Sequence, residues 1–130
     1  MFVDSSALVA MIAPEDDGPD LSVRLQARSS AITSPLVVFE TVMALRRLRR
    51  VPLSIVQDLV VGFLAKAGVR TVDMSADIHR LALVAQEKFG KGSGHPAQLN
   101  MGDCFSYAMA RQAGVPLLYK GGDFALTDLA

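Results

Sequence analysis

Apolar and polar positions alternate along this chain with two different periods, and the changes of period mark its elements. The β-prone run "MFV" gives way to "SSALVAMIA", whose apolar spacing predicts a helix ended by Pro14. "PEDDGPD" reads as a turn with solvated acids. In "LSVRLQARSS", Leu21 and Leu25 fall on one face and Arg24 and Arg28 on another, which predicts an amphipathic surface helix. "AITS" reads as a strand, after which Ser34 and Pro35 supply an N-cap and a first helical residue for "PLVVFETVMALRRLRR". Pro52 with Ser54 restarts a helix, "LSIVQDLVVGFLAKAG", with Gly68 as its C-cap. "VRTVDM" is a β-branched strand. Ser75 is expected to cap "ADIHRLALVAQEKFG", with Leu81, Val84 and Ala85 at helical spacing, and "GKGSGHPAQ" reads as a flexible loop. "LNMGDCFSYAMARQAG" is a helix ended by Gly114, "VPLLY" a strand, and "KGGDFALTDLA" a terminal loop and turn.

Helices that alternate with short strands imply an α/β domain whose mainly parallel sheet is covered on both faces. No repeat, low-complexity tract or linker interrupts the pattern, so residues 1–130 are expected to form one domain.

Charge and composition narrow the functional classes. Thirteen Lys and Arg balance 13 Asp and Glu, so no global field recruits a polyanion or a membrane, and such a partner needs a local patch. The one cysteine, Cys104, excludes an internal disulfide and suits a reducing compartment. The N-terminus has no basic region, and its apolar run ends within about ten residues, too short for a membrane span. A cytoplasmic location is expected. Hydrophobic residues make up 51% of the chain, and some of that apolar surface is expected to meet a partner.

Four acids stand where a carboxylate needs a reason. Asp4 follows the first strand directly. Glu40 lies within Leu36–Leu45, a stretch apolar on nearly every side and therefore expected to be buried. Asp103 opens an otherwise apolar helix, and Asp123 follows the last strand. Each has an ordinary explanation: Asp4 and Asp103 as helix N-caps, Asp123 as a turn residue, Glu40 paired with Arg47 two turns along its helix. Taken together they suggest more. Sites in parallel α/β sheets form beyond the carboxyl ends of strands, where Asp4 and Asp123 fall. An all-oxygen donor set without a His or Cys framework suits Mg²⁺ or Mn²⁺ rather than zinc. His79 and His95 lack ligand spacing. A carboxylate-held divalent ion leads first to phosphodiester hydrolysis.

"VDSSALVAM", the Glu within "PLVVFETVMALRR", "HPAQLNMGDCFSYAMA" and "LLYKGGDFALTD" together resemble a PIN domain, and more narrowly the VapC-type ribonuclease toxins of toxin–antitoxin modules. The resemblance spans essentially the whole chain, in the family's order and spacing. It implies a three-layer α/β/α fold, Mg²⁺-dependent endoribonuclease activity on structured RNA such as transfer or ribosomal RNA, a homodimer, and inhibition by a VapB-type antitoxin. Asp4 and Asp103 match the family's principal metal-binding acids, Glu40 the acid on the third helix, and Asp123 the fourth acid. Ser6 matches a hydroxyl that supports the first. Gly122 departs from the pattern, since relatives often carry Asp or Asn there.

Arg46, Arg47 and Arg50 form a basic run beyond Glu40 and are candidates for phosphate contact, with Arg49 expected to be simply solvated. A helix end whose cations suit the dipole is the competing account. A haloacid-dehalogenase-like phosphatase would need a second Asp where Ser6 stands, and a receiver domain would need paired acids at the first strand. A degenerate PIN domain that only binds is the non-enzymatic alternative.

Overall fold

The computed structural model describes residues 1–129. Its elements follow in the order β1 (Phe2–Val3), α1 (Ser5–Ile12), α2 (Gly18–Gln26), β2 (Ala31–Thr33), α3 (Pro35–Arg49), α4 (Leu53–Ala67), β3 (Val69–Thr71), α5 (His79–Phe89), α6 (Met101–Ala113) and β4 (Leu117–Leu118). A 3₁₀ turn at Phe124–Leu126 closes the described chain. The expected terminal loop runs on to Ala130, which lies outside the described residues.

The strands are short, β1 and β4 buried and the edge strand β3 exposing Arg70 and Thr71, and all pair in parallel in the order β3-β2-β1-β4. Phe2 aligns with Ile32 on one side and Leu117 on the other. Apolar strands need cover on both faces, and helices supply it in a three-layer α/β/α arrangement. α5 packs on α6, α1 on α2 and α3, and α3 on α4. Phe2, Val3, Leu8, Leu45, Leu99 and Leu118 are fully enclosed at the centre.

The strand order positions the site. From β1 the chain moves outward through β2 to β3, then returns to place β4 on the other side of β1. The carboxyl ends of β1 and β4 therefore flank the topological switch point. α1 and α3 follow strands, so they begin at that rim. α6 runs back towards the start of β4, so its N-terminus opens there too.

Most predicted caps form: Ser34 Oγ accepts from Val37 N–H at 3.3 Å, and Gly68 and Gly114 adopt the left-handed conformation. Several expectations need correction. α2 starts at Gly18 rather than Leu21, because Pro19 suits a helix's first positions. Ser75 does not cap α5, which begins at His79 after a turn; its hydroxyl instead accepts from Gln112 Nε2 at 2.9 Å. On α5 itself, Ala82 and Ala85 are the buried residues. α3 is not enclosed all round: Phe39 and Leu48 are 63% and 62% exposed, and α4 likewise exposes Ile55 and Val61. The loop after α5 is tied by bonds between Phe89, Lys91 and Leu99, with Leu99 fully buried.

Candidate active site

Asp4 ends β1 and caps α1, and it is 2% exposed. Both of its oxygens are hydrogen-bonded there. Oδ2 accepts from Ser6 N–H at 2.9 Å and from Ser6 Oγ at 2.6 Å; Oδ1 accepts from Ser106 Oγ at 2.6 Å. Ser6 Oγ in turn accepts from the Lys120 backbone N–H at 3.0 Å, linking the end of β1 to the chain leaving β4. The hydroxyl expected at Ser6 does touch Asp4. Ser106 was not anticipated, and its only signal is a polar residue on the buried face of α6.

Asp103 is the third residue of α6. Its capping role is real and sits alongside its place in the pocket. Its Oδ2 accepts from Asn100 N–H at 2.9 Å, while Asn100 Oδ1 accepts from Asp103 N–H at 2.9 Å. This reciprocal box is the capping signature of "NMGD", with Asp in place of the usual Glu. It fixes the carboxylate over the helix N-terminus.

Glu40 sits in the second turn of α3 and is half-buried. Its carboxylate lies against the backbone of Gly102, where a Cβ would come within 1.9 Å of Glu40 Oε1. Glycine at the second position of α6 is what lets the two helices meet there. The Glu40–Arg47 pair considered from spacing does not form, and no ion pair involves Glu40 among the described residues. Asp123, exposed, enters from the loop after β4.

A pocket of about 390 Å³ joins these groups, with Asp4, Ser6, Asn100, Asp103 and Asp123 in its wall beside Glu15 and Lys120. Glu40 adjoins it through Gly102. Electrostatics bear out the closeness of the four acids. Burial lifts the Asp103 carboxyl to about 6; the Asn100 hydrogen bond opposes this, and the Asp4 and Asp123 charges add to it. Burial also raises Glu40, with Asp4 and Asp103 adding and Ser5 opposing.

By chemistry, carboxylate oxygens without a His or Cys partner suit a hard divalent cation rather than a soft one. Among the described residues, no three His, Cys, Asp or Glu side chains are grouped so that they could hold a metal ion together. The acids instead ring an open pocket.

Other candidates lie apart from it. Arg46, Arg47 and Arg50 are exposed at the far end of α3 and do not line the pocket. Arg49 is exposed, as expected, and its Nη2 comes no nearer than 3.5 Å to the Ile12 carbonyl, a marginal contact. His79 is exposed, and His95 packs edge-on against Phe89. At Gly122, a Cβ would meet nothing within 4 Å. Reasoning from sequence missed Ser106, Asn100, Gly102 and Lys120, all of which bear on the pocket.

Comparison with known proteins gives a consistent picture. Residues 1–129 match the PIN domain family. The chain is 40% identical to a VapC ribonuclease of Rhizobium meliloti, the alignment covering 98% of each. It is 37% identical to ribonuclease VapC42 of Mycobacterium tuberculosis, over 99% of this chain and 96% of that relative. The crystal structure of Mycobacterium tuberculosis VapC20, a sarcin-ricin loop cleaving toxin, superposes with a TM-score of 0.73 at 22% identity, over 95% of this chain and 92% of that one. That likeness is one of fold.

Proposed function

The chain belongs to the PIN domain family, and on that premise we propose that it is a metal-dependent endoribonuclease, the toxin of a toxin–antitoxin pair, which hydrolyses phosphodiester bonds in structured RNA of the transfer- or ribosomal-RNA class. One observation carries the reading. Three acids distant in sequence, Asp4, Asp103 and Asp123, line one pocket that Glu40 adjoins, in a chain that aligns over nearly its full length with proteins named VapC ribonucleases.

Asp4 and Asp103 are assigned as the principal ligands of Mg²⁺ or Mn²⁺, with Glu40 and Asp123 completing the donor set. A bound ion of this kind lowers the pKa of its water and offsets charge on the phosphate. The chain's own contribution is orientation. Ser6 and Ser106 hold Asp4 in one position, the Asn100 box holds Asp103, and Gly102 gives Glu40 room to approach. Burial makes both Asp103 and Glu40 hold a proton more readily than a solvated carboxyl does.

Partners follow from the same reading. A VapB-type antitoxin would inhibit by covering the acidic pocket. The exposed Phe39, Leu48, Ile55 and Val61 support burial of the α3–α4 face in a homodimer. Arg46, Arg47 and Arg50 would bind RNA phosphates outside the pocket. Cys104 is a free, buried thiol, which supports a cytoplasmic setting. No helix among the described residues is long and apolar enough to cross a membrane.

The test is cleavage of total cellular RNA by purified, antitoxin-free protein with Mg²⁺, with Mn²⁺ and with EDTA, beside Asp4→Asn and Asp103→Asn. Discrete fragments that need metal and vanish in both variants are the expected result. A folded, metal-binding protein that cleaves nothing would favour a module that only binds.

A further inference from the structure

The pocket has an unbalanced charge. Its wall carries Asp4, Glu15, Asp103 and Asp123, Glu40 adjoins it, and its one cation among the described residues is Lys120. RNA brings one negative charge per phosphate to this place, and a divalent ion offsets only two. Arg46, Arg47 and Arg50 do not reach the pocket wall. Lys91 lies near enough to act on Asp103, but the cation in the pocket wall itself is on the chain leaving β4.

Lys120 is built for that position. Its backbone N–H donates to Ser6 Oγ, which itself donates to Asp4, so two hydrogen bonds fix its stem relative to the first acid. Its ammonium is engaged by Glu15 Oε2 and lies 3.4 Å from Asp17 Oδ2, both on the α1–α2 connection. Neither contact is sealed: the side chains of Lys120 and Glu15 are each 34% exposed, and that of Asp17 59%. Ion pairs this open hold little free energy against solvent. The four-carbon stem can therefore re-aim its charge without unfolding anything around it.

Resting on the ribonuclease reading above, we infer that Lys120 is a substrate-contacting residue. Glu15 and Asp17 hold its ammonium at the pocket mouth in the free protein and give it up to an RNA phosphate. The competing account is a strap that only ties the end of β4 to the α1–α2 turn.

Three variants separate the two: Lys120→Met, Lys120→Arg and Glu15→Gln. RNA affinity is measured by fluorescence anisotropy with a labelled structured RNA over a range of KCl, each variant combined with Asp103→Asn to prevent cleavage. Melting temperature and Mn²⁺ affinity are measured in the single variants. Loss of one phosphate contact lowers the slope of log affinity against log salt by about 0.7 to 0.9. Lys120→Met is expected to show that change and to lose roughly tenfold in kcat/KM, with Mn²⁺ affinity unchanged. Lys120→Arg restores the slope, and Glu15→Gln raises RNA affinity by freeing the ammonium. A lowered melting temperature with an unchanged slope in Lys120→Met, or weaker RNA binding in Glu15→Gln, overturns the inference in favour of the strap. Cleavage by the wild-type protein in the same buffers judges the ribonuclease reading separately.

Discussion

Ser106 Oγ donates to Asp4 Oδ1 at 2.6 Å, joining the middle of α6 to the end of β1 across 102 positions of sequence. Both residues are essentially sealed from solvent, at 1% and 2% exposure. A buried carboxylate oxygen that loses its donor bears the desolvation cost itself. Ser106→Ala should therefore cost about 2 kcal/mol, the range for hydrogen bonds to charged groups. It should also weaken Mn²⁺ binding, because Asp4 gains freedom to turn. Chemical denaturation and calorimetric Mn²⁺ titration measure the two effects. An unchanged metal affinity would show that Ser6 alone positions Asp4.

Gly102 and Glu40 make a second prediction, in which stability and activity part. A Cβ at Gly102 enters the space of Glu40 Oε1, 1.9 Å away, but that oxygen ends a flexible side chain and can move. Alanine also favours the helix by up to about 1 kcal/mol over glycine. Gly102→Ala should thus fold with near-native stability while Glu40 swings off α6. A loss of tenfold or more in kcat is expected, equivalent to about 1.4 kcal/mol. A Gly102→Ala protein with the native rate would remove Glu40 from the assigned machinery.

Asp103 supplies a pH signature. Its folded-state carboxyl titrates at about 6, above its ordinary value near 4, chiefly through burial. The folded state therefore holds this proton more tightly than the unfolded state. The penalty for ionising it is absent below about pH 4 and fully present above about pH 6. A shift of this size is worth at most about 3 kcal/mol, and partial exposure to screening solvent reduces that to about 1. In EDTA, Asp103→Asn should be the more stable protein at pH 7, and its advantage should fade as pH falls to 4. Mn²⁺ should raise the wild-type melting temperature at pH 7 and do so less at pH 5, where protons compete for the carboxylates. Melting curves at the two pH values, with and without metal, decide it.

The sequence made the acids legible because their positions contradicted their surroundings. A strand-end Asp, a Glu in an apolar helix and an Asp opening another needed no structure to be noticed. Local punctuation was equally readable: Ser34, Gly68 and Gly114 act as their types suggest. What stayed hidden were relations between distant segments. Ser106 on α6 looks like any small helical residue until β1 is placed beside it. Gly102 carries meaning only once Glu40 is known to occupy its missing Cβ. The burial of Glu40 was overread for a related reason. Apolar residues such as Phe39 and Leu48 mark a surface left open on this chain, and periodicity cannot tell such a surface from a core. Ser75 failed as a cap because the turn before α5 delays the helix, and single-residue propensities do not see that delay.

Two neighbouring glycines in the loop after β4 should respond in opposite ways. Gly121 has φ of 96°, a conformation that residues with a Cβ adopt only under strain, so Gly121→Asp should cost about 1 to 2 kcal/mol. Gly122 lies outside the left-handed region, and a Cβ there meets nothing within 4 Å. Gly122→Asp should leave stability within about 0.5 kcal/mol of the parent, as exposed substitutions do. It also sets another carboxylate beside Asp123. If Asp123 serves the metal, the added charge should tighten Mn²⁺ binding severalfold at low salt while RNA cleavage is retained. The comparison needs only melting curves and Mn²⁺ titrations of the two variants side by side. Equal destabilisation by both would show that the turn, and not the single left-handed residue, sets what this loop tolerates. Unchanged Mn²⁺ affinity in a stable Gly122→Asp protein would place Asp123 outside the metal's reach and leave Asp4, Glu40 and Asp103 as its holders.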